Sequence, residues 1–376
     1  MAQSVEFPDI QFTVEEASEI QQNIVSVYEG LTGRTLQPAD PVRLFLSSLA
    51  AIIVQQRVLI NQTAKSNLLR YASGVQLDLM GEFQGSERLA ASAAITTLQF
   101  TLSIPLSSPT AVPEGTRIGV QGGDGSVFFA TEEYLEIPAG VTTGTVAAVC
   151  SAPGTTGNGF LPGQLNVLMD QLPFVQSVTN LTVSTGGAEK ESDEAFRERI
   201  RTAPDSYSTA GPQGAYEFWA KSTSAAILDV HAFSPDDGKV TVVPLLVGGQ
   251  IPGQDVLDAV AETLEDRGIR PLTDKVTVMV PTSVPYNTTI TYYISRSRVS
   301  EVPAIQAAVT SAVAAYQLWQ KSKLGRDINP SELIARVMAA GALRVVPIVP
   351  AYTALTATQV AQEGTTTITF GGLADD

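Results

Sequence analysis

The chain of 376 residues has few of the side chains on which enzymes and metal sites depend. It contains one histidine, His231, and one cysteine, Cys150. A zinc site with several histidines and an intrachain disulfide are therefore excluded, and a nucleophilic triad would depend on His231 alone. A single cysteine also fits synthesis in a reducing compartment.

Positive charge is scarce as well. The sequence has 38 Asp and Glu residues against 23 Lys and Arg, a net charge of -15. Binding to nucleic acid requires a basic face, so we expect no nucleic-acid partner, and tight binding to anionic lipid is disfavoured for the same reason. Only 16% of residues are charged, against about 25% in typical soluble domains. A surface with so little charge predicts that part of it is buried against other chains.

Targeting and membrane-spanning segments are not predicted. No basic region followed by an apolar segment opens the chain, so we expect no signal peptide. The most apolar window, Leu44–Ile60, is interrupted by five polar residues: Ser47, Ser48, Gln55, Gln56 and Arg57. We therefore expect no membrane insertion.

Catalytic motifs are missing too. The sequence has no Gly-x-Ser-x-Gly elbow, no P-loop and no dinucleotide fingerprint. Paired carboxylates occur at Glu132-Glu133, Asp236-Asp237 and Glu265-Asp266, in turns and helix ends where solvated acids are expected. Glycosidase chemistry thus has no positive support. We predict no enzymatic activity, no catalytic or metal-binding residues and no cofactor.

Residues 1–90 have the pattern of helices. Thr13 and Glu16 form a potential capping box before an amphipathic stretch that ends at Gly30. Asp40-Pro41 then predicts the start of a long helix that runs towards Tyr71.

The first half of this long helix, LFLSSLAAIIV, is apolar on more than one face. Such a helix must be enclosed on several sides, and one short preceding helix cannot enclose it. We predict a multi-chain helical bundle. Its partner-helix interface is expected to include Phe45, Leu46, Leu49, Ile52, Ile53 and Ile60. The alternative is a helix that docks on the β domain of its own chain.

Residues 91–185 have the pattern of strands. Leu98, Phe100, Leu102 and Ile104 alternate with polar residues, as in a strand with one buried face. The Gly-rich segment from Gly154 to Asn166 is long for a compact domain, and loops of this kind often make contacts.

The segment Gly186–Ile200 joins the β-rich part to the rest of the chain. Two glycines allow positive φ after a strand, a serine and acidic residues suit a helix start, and arginines suit a helix end. We interpret it as a capped surface helix that opens a third domain. The domain-junction motif comprises Gly186, Gly187, Ser192, Asp193, Arg197 and Arg199.

The remaining chain alternates helices and strands. Strand patterns around Ser234–Gly238 predict a hairpin, and the helices Gln254–Glu265 and Ala304–Gln320 are clear. Residues from Gly371 onward are expected to be frayed. The predicted fold is a multidomain α+β protein with N-terminal helices (1–90), a β-rich domain (91–185) and two small α+β sandwich domains (186–285 and 286–376).

Several of these motifs, in this order, resemble the baseplate J-like family, the wedge proteins of contractile phage tails and related injection systems. The resemblance is carried by Gly74–Gly85 with Arg88, Pro113–Thr116, Gly157-Asn158, Gly186-Gly187, Glu191–Glu194, Arg197-x-Arg199-Ile200, Gly211–Tyr216 and Arg270-Pro271. The segment Gly186–Ile200 is the most specific, and none of these motifs is catalytic.

The resemblance implies a structural role in the baseplate of a virion tail, with synthesis in the host cytoplasm. It implies that paired wedge proteins form a six-fold ring around a central hub. Their N-terminal helices would join another wedge protein in a helical bundle, and the C-terminal domain, 286–376, would bind a second copy of itself. Rearrangement of these interfaces would release the sheath, so hub and sheath-initiating proteins are expected neighbours.

A function of a different class remains open. The polar β domain with its Gly-rich loop could belong to a carbohydrate-binding or cell-wall-degrading tail or surface protein. In that case Phe128, Phe129, Tyr134 and Phe160 are the aromatic residues that would line a sugar site. If they are core residues, this hypothesis loses its basis.

Overall fold

The computed structural model describes residues 8–120, 122–123, 125–208, 211–266 and 268–375. The chain forms two compact units. The first comprises Met1–Glu87 and Asp193–Ile200, and the second comprises Arg88–Ser192 and Arg201–Asp376. The predicted four domains are a finer division that stays a prediction.

The first unit is helical. Its helices are α1 (Ala17–Thr32), α2 (Pro41–Ser66), α3 (Gly74–Phe83) and α4 (Asp193–Thr202), the last belonging to this unit through Ile200. As predicted, Asp40 caps α2: its carboxylate accepts from the Val42 amide at 2.9 Å, and Pro41 occupies the first turn.

Three boundaries in this unit differ from the sequence prediction. α1 ends at Thr32 and not at Gly30. α1 begins at Ala17 without a side-chain cap, because the Thr13 amide donates to Asn61 Oδ1 at 2.9 Å and is not free for a capping box. α2 ends at Ser66 and does not continue towards Tyr71. Beyond it, the carbonyl groups of Leu69 and Ala72 accept hydrogen bonds from the Arg197 guanidinium.

Helix α4 is more buried than the surface helix that we predicted, although Glu194 and Glu198 are exposed. Phe196 is fully buried in a cluster with Ala72, Leu77 and Ile200. Arg197 is buried as well, which its charge did not predict. Although we expected α4 to open the third domain, it packs with the helices of the first unit.

The second unit begins with an antiparallel sheet. Its strands and a separate β2–β5 pair are β1 (Ala93–Leu102), β2 (Thr110–Val112), β3 (Arg117–Val120), β4 (Phe128–Thr131), β5 (Leu135–Ile137), β6 (Thr143–Pro153), β7 (Leu165–Leu168) and β8 (Val175–Asn180). The sheet order is β7-β3-β4-β6-β1-β8. The end strands approach each other, since the Gly163 amide donates to the Asn180 carbonyl at 3.1 Å. The sheet therefore curves into a barrel-like form.

Alternation along β1 places its apolar residues in the core, as expected. Leu98 and Phe100 are fully buried with Ile118, Phe129 and Leu165 from other strands. Ile104, predicted to continue the alternation, lies beyond the end of the strand and is exposed.

A three-stranded sheet with two helices follows. Its elements are α5 (Gln213–Ser222), β9 (Ile227–Phe233), β10 (Lys239–Leu246), α6 (Gln254–Glu265) and β11 (Lys275–Val278). β9 and β10 form the predicted antiparallel hairpin, and β11 pairs with β10 in parallel. Ala220 of α5 and Val260 of α6 pack with Val242 in one core.

The C-terminal part is again a three-stranded sheet with two helices, and two of its strands are long. It contains β12 (Thr282–Ser295), α7 (Val302–Gln320), α8 (Pro330–Ala339), β13 (Arg344–Val349) and β14 (Gln359–Ala374), with the sheet order β13-β12-β14. Asn329 caps α8 by accepting from the Ser331 amide at 3.0 Å. The expected fraying from Gly371 is wrong, because β14 pairs with β12 as far as Ala374. The multidomain α+β class is confirmed.

Helix α2 is also long and apolar enough to cross a membrane, which we did not expect. Its 26 residues include a window with a mean hydropathy of 1.5, of which 17% is buried. A rise of about 1.5 Å per residue makes it longer than the ~30 Å hydrocarbon core of a bilayer. Its polar interruptions are mostly uncharged and lower the hydropathy less than we assumed. The absence of membrane insertion stays a prediction.

Candidate interaction surface and domain junction

The charged residues of α2 face other parts of the first unit. The helix has only three, Arg43, Arg57 and Lys65, and no acidic residue. Arg43 donates to the Leu36 carbonyl at 3.1 Å and Arg57 to the Val14 carbonyl at 2.9 Å. Lys65 pairs with Asp9 at 2.9 Å. The opposite side of α2 therefore carries no charge.

That uncharged side is lined with exposed apolar residues, which we call the α2 face. Its members lie four and three residues apart, so that they share one side of the helix. They are Phe45, Leu49, Ile52, Ile53, Leu59 and Ile60, exposed by 38% to 61%. Isolated surface apolar residues are ordinary, but six exposed apolar residues along four turns, interrupted only by the uncharged Gln56, mark an interaction site.

Leu46 is a correction to the predicted interface. It is buried in the same chain, in a cluster with Val25 and Leu36. It lies on the side of α2 that α1 covers, and a partner cannot reach it.

Leu59, which the sequence prediction omitted, extends the stripe. It lies seven residues after Ile52, and this spacing could have placed it on the same side of the helix.

Helix α3 adds a second apolar surface to the same unit. Leu79 and Phe83, one helical turn apart, are exposed, Phe83 by 87%. They line a groove of about 420 Å³ together with Leu69, Met80 and Ile200. The predicted partner-helix interface did not include these residues.

The glycines of the junction motif meet the Gly157-Asn158 loop of the second unit. Asn158 Nδ2 donates to the Gly187 carbonyl at 2.7 Å, and the Gly187 amide donates to Asn158 Oδ1 at 2.9 Å. A Cβ at Gly187 would lie 2.4 Å from the Gly154 carbonyl oxygen. Gly186 has φ of 88°. Two motifs that are 29 residues apart are thus joined by hydrogen bonds between the Asn158 side chain and the Gly187 backbone, at a position where only glycine fits.

Glu191 and Arg88 form a similar contact in the second unit. The Leu89 amide donates to Glu191 Oε2 and Arg88 Nη1 donates to the Glu191 carbonyl, both at 2.9 Å. Glu191 is buried. These hydrogen bonds hold two chain segments together, which is a structural role.

The junction arginines hold the helical unit together. Arg197 Nε and Nη2 donate to the carbonyls of Leu69 and Ala72 at 2.8 and 2.7 Å, and Arg199 donates to the Glu87 carbonyl. The carboxylate of Asp193 accepts from the Gly74 amide at 3.1 Å. We predicted a helix-dipole role for these arginines; the structure shows that they bind the backbone of the N-terminal segment. Ser192, the predicted N-cap, is exposed.

The residues proposed for a sugar site do not form an aromatic platform. Phe129 is fully buried and packs edge-on against the partly buried Phe160, 5.9 Å between ring centroids. Phe128 is also partly buried, and of the four residues only Tyr134 is exposed. His231 stacks on Phe233, and its Nδ1 lies 3.8 Å from Glu217. Within the described residues no group of three or more His, Cys, Asp or Glu side chains is arranged to hold a metal.

The geometry thus defines a multidomain α+β protein that holds its segments together through glycine and arginine contacts and leaves apolar residues of α2 and α3 exposed. Three family profiles match its second unit in order. They describe the Baseplate J-like protein barrel domain (residues 97–187), the Baseplate J-like central domain (208–280) and the Baseplate J-like protein C-terminal domain (288–369). The chain belongs to the baseplate J-like family.

Curated relatives agree with this assignment. The chain is 32% identical to baseplate protein J of Escherichia phage P2 over 44% of this chain and 54% of that protein. It is 26% identical to the phage-like element PBSX protein XkdT of Bacillus subtilis over 47% of this chain and 42% of the relative. The chain therefore spans about half the length of these relatives.

A solved structure matches over most of the chain at lower sequence identity. A chain in the cryo-EM structure of the anti-feeding prophage baseplate, 6-fold symmetrised, has a TM-score of 0.36 and 17% identity, covering 93% of this chain and 90% of that chain. The family assignment depends on the three profile matches and not on this likeness. The α2 face, at residues 45–60, lies before the first profile match.

Proposed function

We propose that this chain is a structural component of the baseplate of a contractile phage tail or related injection machine. The observation that carries the proposal is the α2 face, an uncharged apolar stripe over four turns in a chain of the baseplate J-like family. Burying such a stripe against other helices removes apolar surface from water, at about 25 cal/mol per Å². The partners that fit it are amphipathic helices of another baseplate chain.

The more detailed proposal is a wedge protein. N-terminal helices (1–90) would join a second wedge protein in a bundle, and the domains 91–185, 186–285 and 286–376 would form the ring around the hub. The C-terminal domain would bind a second copy, and neighbouring hub and sheath-initiating proteins would contact the ring. Sheath release would follow from rearranged interfaces, without an enzymatic step or a cofactor. The net charge of -15 would favour solubility of free subunits before assembly.

A pair of substitutions on α2 tests the proposal. Ile52→Asp with Ile53→Asp places two charges in the centre of the α2 face, where burial without a partner charge is costly. We expect the double variant to be lost from particles purified from the producing cells. Electron microscopy and quantitative mass spectrometry of the particles measure this incorporation.

The matched control adds the same charges to the same helix away from the stripe. Gln55→Asp with Gln62→Asp alters two exposed positions, and we expect normal incorporation. Fluorescence of Trp219 and Trp319 verifies that the second unit is folded in every variant. Normal incorporation of the Ile52 and Ile53 variant would refute the helix-partner role. Flotation of wild type with phosphatidylcholine vesicles, abolished in that variant, would identify lipid as the occupant instead.

A further inference from the structure

The C-terminal sheet ends in a long edge strand. β14 pairs with β12 on one side, and among the described residues no strand lies on its other side. Every second residue of a strand in a parallel pair directs its N–H and C=O groups away from the neighbour, so the outer edge of β14 offers a row of backbone donors and acceptors. Such an edge is a template for another strand.

The side chains of β14 do not protect this edge. Proteins commonly protect edge strands with lysine, proline or a short length. β14 has 16 residues, and the stretch from Gly364 to Ala374 contains no charged residue and no proline. Register shifts on either side leave one regular run, Thr366–Phe370, opposite residues 288–292 of β12. Five residues are enough for a short strand pair.

The two faces of this run differ. On the inner face, Thr366 accepts from Gln317 of α7 at 2.6 Å, and Ile368 packs against the core. On the outer face, Thr367 and Thr369 are exposed. Because Thr367 and Thr369 pair with threonines of β12, this outer face is uncharged at that point.

We propose that the outer edge of Thr366–Phe370 pairs antiparallel with the same run of a second copy of the chain, centred on Ile368. This inference rests on the proposed function in one respect: it names the segment through which the second copy binds. In this register Thr367 lies opposite Thr369 of the second copy, Thr366 opposite Phe370, and Ile368 opposite itself. These are β-branched and aromatic pairs, which stabilise antiparallel strands.

Symmetry favours a second copy over a different chain. A two-fold axis perpendicular to the sheet at Ile368 keeps inner faces together, so the helices of both copies would cover one side of a continuous six-stranded sheet. No charged pair is opposed across the run, because the run has no charge. The same patch then serves both copies, which is the arrangement of an isologous dimer.

Two charge variants that differ in one side chain test the register. In Thr367→Lys with Thr369→Lys, antiparallel pairing sets two lysine pairs opposite each other. In Thr367→Lys with Thr369→Glu, the same pairing sets lysine opposite glutamate twice. Both variants are made in the full chain that also carries Ile52→Asp and Ile53→Asp, which removes association through the α2 face. Sedimentation equilibrium measures the dimer dissociation constant.

We expect the chain without the strand substitutions to dimerise, the lysine pair to weaken the dimer by about tenfold, and the lysine–glutamate pair to restore it. Circular dichroism melts should be alike for both variants, since both alter exposed positions. Equal dissociation constants for the two variants would overturn the strand pairing while leaving self-association intact. A strictly monomeric chain at high micromolar concentration would overturn both, and neither result bears on the α2 face.

Discussion

At the residue scale, three arginines of the helical unit serve internal contacts. Arg43 and Arg57 of α2 donate to backbone carbonyls of the segments around them, and Arg197 does the same from α4. The bond from Arg197 to the Ala72 carbonyl is buried and contributes about 1.5–3 kcal/mol, whereas the bond from Arg57 is exposed and contributes less. These arginines therefore hold chain segments together and leave the outer surface of α2 without charge.

The tyrosine core of the C-terminal domain should make stability fall at high pH. Tyr316 is fully buried and packs against Tyr286, 6.4 Å between ring centroids. Burial and, to a smaller extent, the nearby charge of Glu332 together raise the pKa of Tyr316 to about 12. The folded pKa of Tyr316 exceeds its unfolded value. The stability contributed by burying the protonated phenol is therefore complete below pH 10 and is lost as pH rises towards 12.

Tyr316→Phe keeps the ring and removes the ionisation. We expect the variant to lose about 2 kcal/mol less than wild type between pH 10 and pH 12, measured as the free energy of unfolding in urea. Tyr134→Phe, at an exposed site, should follow the wild-type curve. A Tyr316→Phe curve that coincides with wild type would contradict the assignment.

At the element scale, close packing between α3 and α4 explains one helical glycine. A Cβ at Gly81 of α3 would lie 2.3 Å from Phe196 Cζ and 2.6 Å from the Ser86 carbonyl oxygen. Phe196 is fully buried and cannot move aside easily. Glycine, otherwise unfavourable within a helix, is required here by the approach of α4.

Two alanine substitutions separate this packing effect from helix propensity. Gly81→Ala should destabilise the helical unit by about 1–3 kcal/mol through overpacking. Gly30→Ala, in α1 with no atom within 4 Å of the new Cβ, should stabilise it by about 0.5–1 kcal/mol. Hydrogen exchange of the α2 and α3 peptides measures both. Stabilisation by Gly81→Ala would show that α4 does not pack against α3 in solution.

At the scale of the whole molecule, the helical unit is discontinuous in sequence. Residues 193–200 complete a core that begins more than 100 residues earlier, around Ala72 and Leu77. α4 has the apolar residues for this core, but they have no partner within its own ten residues. Its order therefore depends on the N-terminal segment.

Removing residues 1–87 should expose α4 to trypsin. Arg197 and Arg199 are buried in the full chain, and the truncation deletes the carbonyl groups to which they donate. We expect rapid cleavage after both residues in the truncated chain and slow cleavage in the full chain, followed by mass spectrometry. Cleavage after Arg117, in the β-rich sheet, is the internal control and should be alike in both. Persisting protection at Arg197 would contradict the two-unit architecture.

The local sequence determined which segments are helices and strands and where several of them begin. Asp40-Pro41 and Asn329-Pro330 start helices because their side chains cap the next amides, and alternation in β1 follows from one buried face. The excess of apolar residues on α2 was likewise readable from the sequence. These features depend on neighbours within a few positions.

Only the tertiary structure decided what each apolar or charged residue contacts. Leu46 and Phe45 are adjacent and both apolar, yet one is buried in the unit's own core and the other is exposed, because α1 covers one side of α2. The sequence of the junction fits a surface helix equally well. In the folded chain, however, Arg197 donates to the carbonyls of Leu69 and Ala72. The same local pattern is compatible with a buried or an exposed position. Which of the two a side chain occupies depends on the distant segments that pack against it.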